Sequence, residues 1–306
     1  MKEKLLKNNT LIIFLLLLVV SSFTSESFLT ITNVTNLLRQ VAPIGLISIG
    51  MFLVILTGGI DLSVGSVVAC IGVTFALLSY EVYFSAALLL GLLMGIGVGV
   101  VSGYLVAYRG VAAFIATLAL MTIVRGLGFL LSKGAPITVG PHSSAILTLG
   151  TGSILGVPIS AILLGAVFII VFVLLNYHVY GRQIIAIGSN EEAVRLSGIS
   201  VNRVKFSVYV IAAFLTALAG LLMVGRTGVG TPNIGVGLEL DAIAAVVIGG
   251  ASLFGGKGSV VNTLLGVLIL GMIGNIMNLL DITSYMQQLI KGVIIILAVI
   301  FQKAQQ

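Results

Sequence analysis

Apolar runs of membrane-crossing length recur along almost the whole chain, and no stretch between them is long enough to build an ordinary soluble domain. Windows bounded by charges, Gly/Pro clusters and polar runs place spans near 11–24, 41–57, 64–80, 84–107, 111–131, 158–176, 206–224, 241–254, 259–280 and 285–302. Alternation of the strand type is absent and the runs are too long for barrel strands. Helices are then the one way to satisfy the backbone in lipid. With only 8% charged residues the chain could not cover a water-soluble globule. The expectation is an all-α polytopic membrane protein: one membrane domain over residues 1–306, about ten transmembrane helices.

Ten spans put both termini on one side, and lysine and arginine say which. With cytoplasmic termini, Lys2, Lys4, Lys7, Arg109, Arg182, Arg195, Arg203, Lys205, Lys257 and Lys303 lie inside. Arg39, Lys133 and Arg226 lie outside, and Arg125 and Lys291 fall within spans. This asymmetry supports both the count and the orientation, because losing one span would invert every later loop. The basic start and the run 11–20 also resemble a signal peptide, but Val20 and Ser22 make a poor cleavage pair. The net charge of +6 is scattered through loops, which fits topology better than nucleic-acid binding. Cys70, the sole cysteine, sits in an apolar run, and His142 and His178 lie far apart in loops, without metal-ligand spacing.

Two junctions between spans look alike. Thr57-Gly58-Gly59-Ile60-Asp61-Leu62, then Gly65-Ser66-Val67-Val68, recurs as Ile248-Gly249-Gly250-Ala251-Ser252-Leu253, then Gly258-Ser259-Val260-Val261. Six spans separate equivalent points, so the copies face the same side and the two halves are related in parallel. Glycine-interrupted helices in duplicated halves are how many transporters frame a central path. Gly58, Gly59, Asp61, Ser63, Gly249, Gly250 and Ser252 are therefore candidate path and gating residues.

One internal loop is both long and charged, at about 177–205. Within it Ser189 or Asn190 can cap a short helix, Glu191 and Glu192 suit its positive end, and Gly198 can stop it about two turns later. Ala193, Leu196 and Ile199 would share a face. Such a helix along the membrane surface is suited to receive a push from a soluble motor, although a solvated loop fixing topology would have the same charges.

Glu192-Ala193-Val194 with Gly198 resembles the degenerate Glu-Ala-Ala motif of ABC importer permeases of the monosaccharide class, to which ribose permeases belong. The runs Val54 to Gly65 and Glu239 to Gly250 resemble the same family, as do Phe114-Ile115-Ala116-Thr117-Leu118 and Gly255-Gly256-Lys257-Gly258. Departures are Val204-Lys205-Phe206 where a wider motif has Leu-Pro, Ala112-Ala113 where proline is common, and Thr231-Pro232-Asn233 in place of a Gln-Pro pair. The resemblance implies a multi-pass permease of the bacterial cytoplasmic membrane that pairs with a second permease copy as a homodimer. It further implies a cytoplasmic ABC ATPase that carries ATP and Mg, and an external or periplasmic sugar-binding protein; this chain would bind no cofactor. Ser189, Asn190, Glu191, Glu192, Ala193, Arg195, Leu196, Ser197 and Gly198 would then form the ATPase-coupling segment. Asn275 and Asn278, on the ninth span, could meet sugar hydroxyls or bond between helices.

Gly256-Lys257 invites a phosphate-loop reading, but Ala251 and Gly258 occupy places that motif reserves for Gly and for Ser or Thr. The chain is thus read as a transport subunit rather than an enzyme. The alternative is an ion-coupled secondary transporter of a small polar solute, for which intramembrane acids are poorly supplied, since Asp61, Glu239 and Asp241 read as span ends.

Overall fold

The computed structural model describes residues 9–303. Lys2, Lys4 and Lys7, used above for orientation, lie outside the described residues, as do the side chains of His142 and Lys303. The chain is mostly helical. Its helices are α1 (Asn9–Thr24), α2 (Ile31–Leu56), α3 (Val64–Glu81), α4 (Phe84–Ala107), α5 (Ala113–Ser132), α6 (Ala145–Thr151) and α7 (Ile159–Tyr177). They continue as α8 (Val179–Ser189), α9 (Glu191–Leu196), α10 (Val201–Thr227), α11 (Leu238–Ile248), α12 (Val260–Leu279) and α13 (Ser284–Lys303). Seven of them, α2, α3, α4, α5, α7, α10 and α12, are long and apolar enough to cross a membrane.

Each apolar run of the sequence has become a helix, with three informative differences. Helix α2 starts at Ile31 rather than near 41, because Thr30 caps it by accepting a hydrogen bond from the Asn33 backbone at 3.3 Å. The run near 241–254 yields only the eleven residues of α11. At 1.5 Å per residue that is about 16 Å, half of a hydrocarbon core of roughly 30 Å. Third, the stretch between α5 and α7 carries short structure of its own. It holds strand β1 (Ile137–Thr138), a 3-10 turn (Pro141–Ser143), α6, and the hairpin of β2 (Ser153–Ile154) and β3 (Val157–Pro158). Strand β1 pairs antiparallel with β4 (Val229–Gly230), tying this region to the segment after α10.

The core is built around α2, α3 and α10, whose apolar residues are largely buried, while α4, α5 and α7 turn most of theirs outward. Side chains exposed on α4, α5 and α7, such as Leu93, Ile123 and Ile170, suit a lipid-facing rim. The tightest packing is α4 on α10. Gly91, Gly95, Gly99 and Gly103 recur every four residues and present bare backbone to that neighbour. A methyl on Gly95 would lie 2.7 Å from Ala217 Cβ, and one on Gly103 would lie 2.9 Å from the Phe206 carbonyl. Small residues at this spacing let helices approach where lipid offers no hydrophobic drive.

The two cations that the sequence places within spans are both paired. One guanidinium nitrogen of Arg125 on α5 donates to the carbonyls of Pro232 and Ile234, each at 2.7 Å. Those carbonyls belong to the non-helical segment 229–237, which a membrane interior tolerates only when its backbone finds such partners. Lys291 on α13 meets Asp241 on α11 at 2.9 Å. Both charges thus hold helices and non-helical backbone in place.

Candidate functional site

The two glycine junctions and the charged loop meet at one end of the bundle, although the first junction lies over a hundred residues from the other two in sequence. Helix α2 ends at Leu56 and α11 at Ile248, each closed by a left-handed glycine, Gly58 (φ +80°) and Gly250 (φ +78°). The next amide in each case reaches back five residues, Gly59 to the Val54 carbonyl and Ala251 to the Val246 carbonyl. This is the same Schellman closure twice. The geometric register therefore matches Gly58 with Gly250, one residue away from the pairing of Gly58 with Gly249 that the sequence alone favours. Gly249 instead makes room for a neighbouring helix, since a methyl there would press within 2.8 Å of the Thr263 backbone on α12.

The junctions then diverge. Asp61 is buried, and its Oδ1 accepts from both the backbone amide and the hydroxyl of Ser63, at 2.9 and 2.6 Å, which turns the chain into α3. Thr117 on α5 donates to the Ile60 carbonyl, docking this extended segment against α5. In the second junction the Ser252 amide donates to the Lys257 carbonyl at 2.9 Å, and the Ser252 hydroxyl accepts from the Phe254 amide. Its loop crosses to the first junction, where the Gly256 amide donates to the Leu56 carbonyl at 3.0 Å. Gly188, near the end of α8, lies against both Leu56 and Gly256 so closely that no side chain would fit.

The charged loop forms two helices rather than one. Of the two candidate caps, Asn190 serves, accepting from the Ala193 amide at 3.0 Å, whereas Ser189 ends α8 and donates to the Ile185 carbonyl. Gly198 (φ +79°) stops α9, with the Gly198 amide donating to Arg195 and the Ile199 amide to Val194. The Ser197 hydroxyl donates to the Ala193 carbonyl at 2.9 Å. Val194 is the buried anchor of this helix, while Ala193, Glu192 and Leu196 stay exposed, Leu196 by 81%. Glu191 ties the helix inward through an ion pair with Lys205 on α10, and Arg195 bridges Glu191 at 2.8 Å and Glu192 at 3.6 Å. The hydrogen bond from Lys205 holds the Glu191 carboxyl below its ordinary value of 4.5, with the charges of Lys205 and Arg195 adding to it.

Between α9, α10 and the first junction lies a recess of about 360 Å³ lined by Thr57, Gly58, Gly59, Glu191, Arg195, Asn202, Lys205 and Tyr209, with residues of the α4–α5 turn on its far wall. Lys205 and Tyr209 sit four residues apart on α10 and share this face. Tyr209 is a functional candidate that the sequence hides, because a tyrosine inside an apolar run reads as ordinary core. Asn275 and Asn278 lie elsewhere. The Asn275 amide exchanges two hydrogen bonds with Asn33 on α2, at 2.9 and 2.8 Å, and Asn278 accepts from Gln287. Among the described residues no three His, Cys, Asp or Glu side chains converge as a metal site.

The family described as branched-chain amino acid transport system, permease component, matches residues 33–299. The chain belongs to this permease family. Among its relatives in the family, ribose import permease protein RbsC of Escherichia coli (strain K12) is 44% identical over all of this chain and 96% of that protein. The ribose import permease protein of Bacillus subtilis (strain 168) is 44% identical over 94% of this chain and 90% of its own length. An L-arabinose transport system permease protein of Escherichia coli (strain K12) is 38% identical, covering 97% and 90% respectively. No solved structure matches this permease.

Proposed function

We propose that the chain is the membrane-spanning subunit of an ABC importer that moves a monosaccharide, ribose or a similar simple sugar, into the bacterial cytoplasm across the inner membrane. The observation that carries this reading is full-length similarity to ribose and arabinose permeases, joined to a short surface helix that is pinned into the bundle. A pinned helix can pass on a push; a free loop would absorb it. The ion-coupled alternative gains no comparable support.

In the full reading residues 1–306 are one permease domain, and 177–205 is its coupling loop, with Leu196, Ala193 and Glu192 facing an ATPase. That separate ATPase holds ATP and Mg, a binding protein delivers the sugar on the outer side, and two permease copies flank the path. Gly58, Gly59, Asp61, Ser63, Gly249, Gly250 and Ser252 form the gating junctions. The chain crosses ten times with both termini cytoplasmic. Helix α11 is too short to cross alone, and the turn-rich segment 229–237 that precedes it completes that passage.

Copurification of the tagged chain with its ATPase, followed by ATP hydrolysis in lipid with and without loaded binding protein, tests this. Stimulation by the binding protein is expected, with loss of ATPase binding or of coupling in Glu192→Ala and Gly198→Pro. Proline cannot adopt φ +79° and lacks the amide that Gly198 gives to Arg195. Purified chain that moves sugar down an ion gradient without an ATPase would replace the importer with the secondary transporter.

A further inference from the structure

One face of the bundle is polar at a depth where lipid demands the reverse. Between α2, α11, α12 and α13 runs a cleft whose lining includes Gln40, Asp241, Gly274, Gln287 and Lys291. The ion pair in it is not sealed, since the side chains of Lys291 and Asp241 remain 32% and 18% exposed. Gln40 is half-buried beside them, and its amide has no hydrogen-bond partner among the described residues. Gln40 stands nine residues from the start of α2 and sixteen from its end, about 14 and 24 Å at 1.5 Å per residue. Lys291 lies seven residues into α13, about 10 Å along its axis. Both depths fall inside a hydrocarbon core of roughly 30 Å. Ionisable side chains placed there face a bundle interior or a water-filled cavity, because hydrocarbon cannot solvate them. The rim of α4, α5 and α7 shows the opposite character, turning Leu93, Ile123 and Ile170 outward.

We infer that this cleft faces the sugar path rather than lipid, and that Gln40 with the Asp241–Lys291 pair forms a hydroxyl-binding subsite for an uncharged sugar, an assignment that rests on the importer reading. Lys291 Nζ donates to both carboxylate oxygens of Asp241, at 2.9 and 3.2 Å. An ammonium carries three donors and a carboxylate about four acceptor positions, so the pair keeps capacity on both sides, and the Gln40 amide adds donors and an acceptor. A sugar hydroxyl donates and accepts at once, so neighbouring hydroxyls can bridge Gln40 and the pair. The two charges offset each other, and a sugar acid or sugar phosphate finds no net cation to hold it. The enclosed space is about 60 Å³, room for a few waters, so a ring stands at the mouth and only its hydroxyls enter. Gly274 keeps that mouth open, because it lines the cleft and a methyl there would meet no neighbouring element within 4 Å.

Gly274 supplies the test, since a side chain added there enters the cleft without striking the fold. In proteoliposomes holding the chain with its ATPase and binding protein, Gly274→Cys and the outward-facing Gly97→Cys on α4 are treated with a membrane-impermeant methanethiosulfonate during ATP turnover. A thiol reacts as its thiolate, which forms in water and not among lipid tails, and the native Cys70 is buried. Gly274→Cys is expected to be labelled and Gly97→Cys spared. With D-ribose and L-arabinose as probes, Gly274→Leu and Gln40→Leu are expected to lower sugar moved per ATP about tenfold, the equivalent of one lost hydrogen bond, while the melting temperature of the complex holds. Gly274→Cys as unreactive as Gly97→Cys would assign the cleft to lipid and overturn the inference while the importer stands. Labelling with an unchanged sugar-to-ATP ratio in both leucine variants would leave a wet cleft without a subsite, which overturns it as well. So would a lower melting temperature with uptake and hydrolysis falling in step, since Gln40 would then be structural. A wild-type complex that hydrolyses ATP but moves neither sugar sinks the proposed sugar class, and the subsite with it.

Discussion

At the scale of single residues, the joint between the charged loop and the bundle depends on one carboxylate and a few glycines. Glu191 is the group that Lys205 and Arg195 both address, and its carboxyl titrates lower in the folded protein than in the unfolded chain. Its contribution to stability is therefore complete at neutral pH and is lost as pH falls through the depressed folded value. Glu191→Gln should melt below wild type at pH 7, and the gap should close as the buffer is taken below about pH 4, where the carboxyl takes up its proton in both states. A constant gap across that range would mean that Lys205 does not depend on this charge. Two left-handed glycines make a second comparison. Around Gly250 there is open space, so Gly250→Ala should cost only the backbone strain, about 1 to 2 kcal/mol. Gly256 shares the positive φ but presses on the Ser189 backbone, its would-be methyl 2.7 Å from the Ser189 nitrogen. Gly256→Ala should therefore cost more, by chemical denaturation in detergent, and should loosen the contact with Leu56. Equal losses at the two positions would show that the junctions are not clamped together.

At the scale of elements, apolar length and charge boundaries were enough to find every long helix, because lipid requires a closed backbone and the composition leaves no other fold. What the sequence could not carry was depth and partnership. The run near 241–254 looks like a full span, yet α11 begins earlier, at Leu238, and stops at Ile248, because the glycine closure at Gly250 ends it. Ala193, Leu196 and Ile199 share a face on paper; in the fold Val194 is the residue that docks, because Lys205 pulls Glu191 inward and fixes the rotation of α9. The amides of Asn275 and Asn33 find each other across 242 positions, which no local pattern announces. The glycine stripe of α4 was legible as composition but not as an interface, and it gives a direct test. Gly99→Val would drive a branched side chain into the Ala213 Cβ, 2.5 Å from the first added carbon, and into the Tyr209 carbonyl at 2.9 Å. Gly97, on the opposite face, meets nothing within 4 Å. Gly99→Val should cost at least about 1 to 3 kcal/mol or abolish stable expression, as overpacking between backbones does, whereas Gly97→Val should be nearly neutral by thermal unfolding. Equal tolerance at both positions would mean that α4 does not seat on α10.

For the whole molecule, the coupling reading requires that the α8–α9 surface and the β2–β3 hairpin lie on opposite sides of the bilayer. Only α7 separates them, nineteen residues of high hydropathy and no charge, so one crossing decides the matter without appeal to the shorter helices. Two exposed apolar residues mark the ends, Leu155 in the hairpin turn at 99% and Leu196 on α9 at 81%. The sole native cysteine, Cys70, is buried, so single replacements can be read against a silent background. In intact cells a membrane-impermeant maleimide should label Leu155→Cys and spare Leu196→Cys; in inverted vesicles the pattern should reverse. Addition of the ATPase to inverted vesicles should then protect Leu196→Cys, since that side chain lies on the surface offered to the motor, and leave Leu155→Cys unaffected in cells. Labelling of Leu196→Cys from outside would turn the molecule over and remove the coupling loop from the ATPase altogether. Correct sidedness without protection would keep the orientation and move the motor's docking surface away from α9. The first result would break the importer reading at its base, because a loop on the outer face cannot receive work from nucleotide hydrolysed in the cytoplasm.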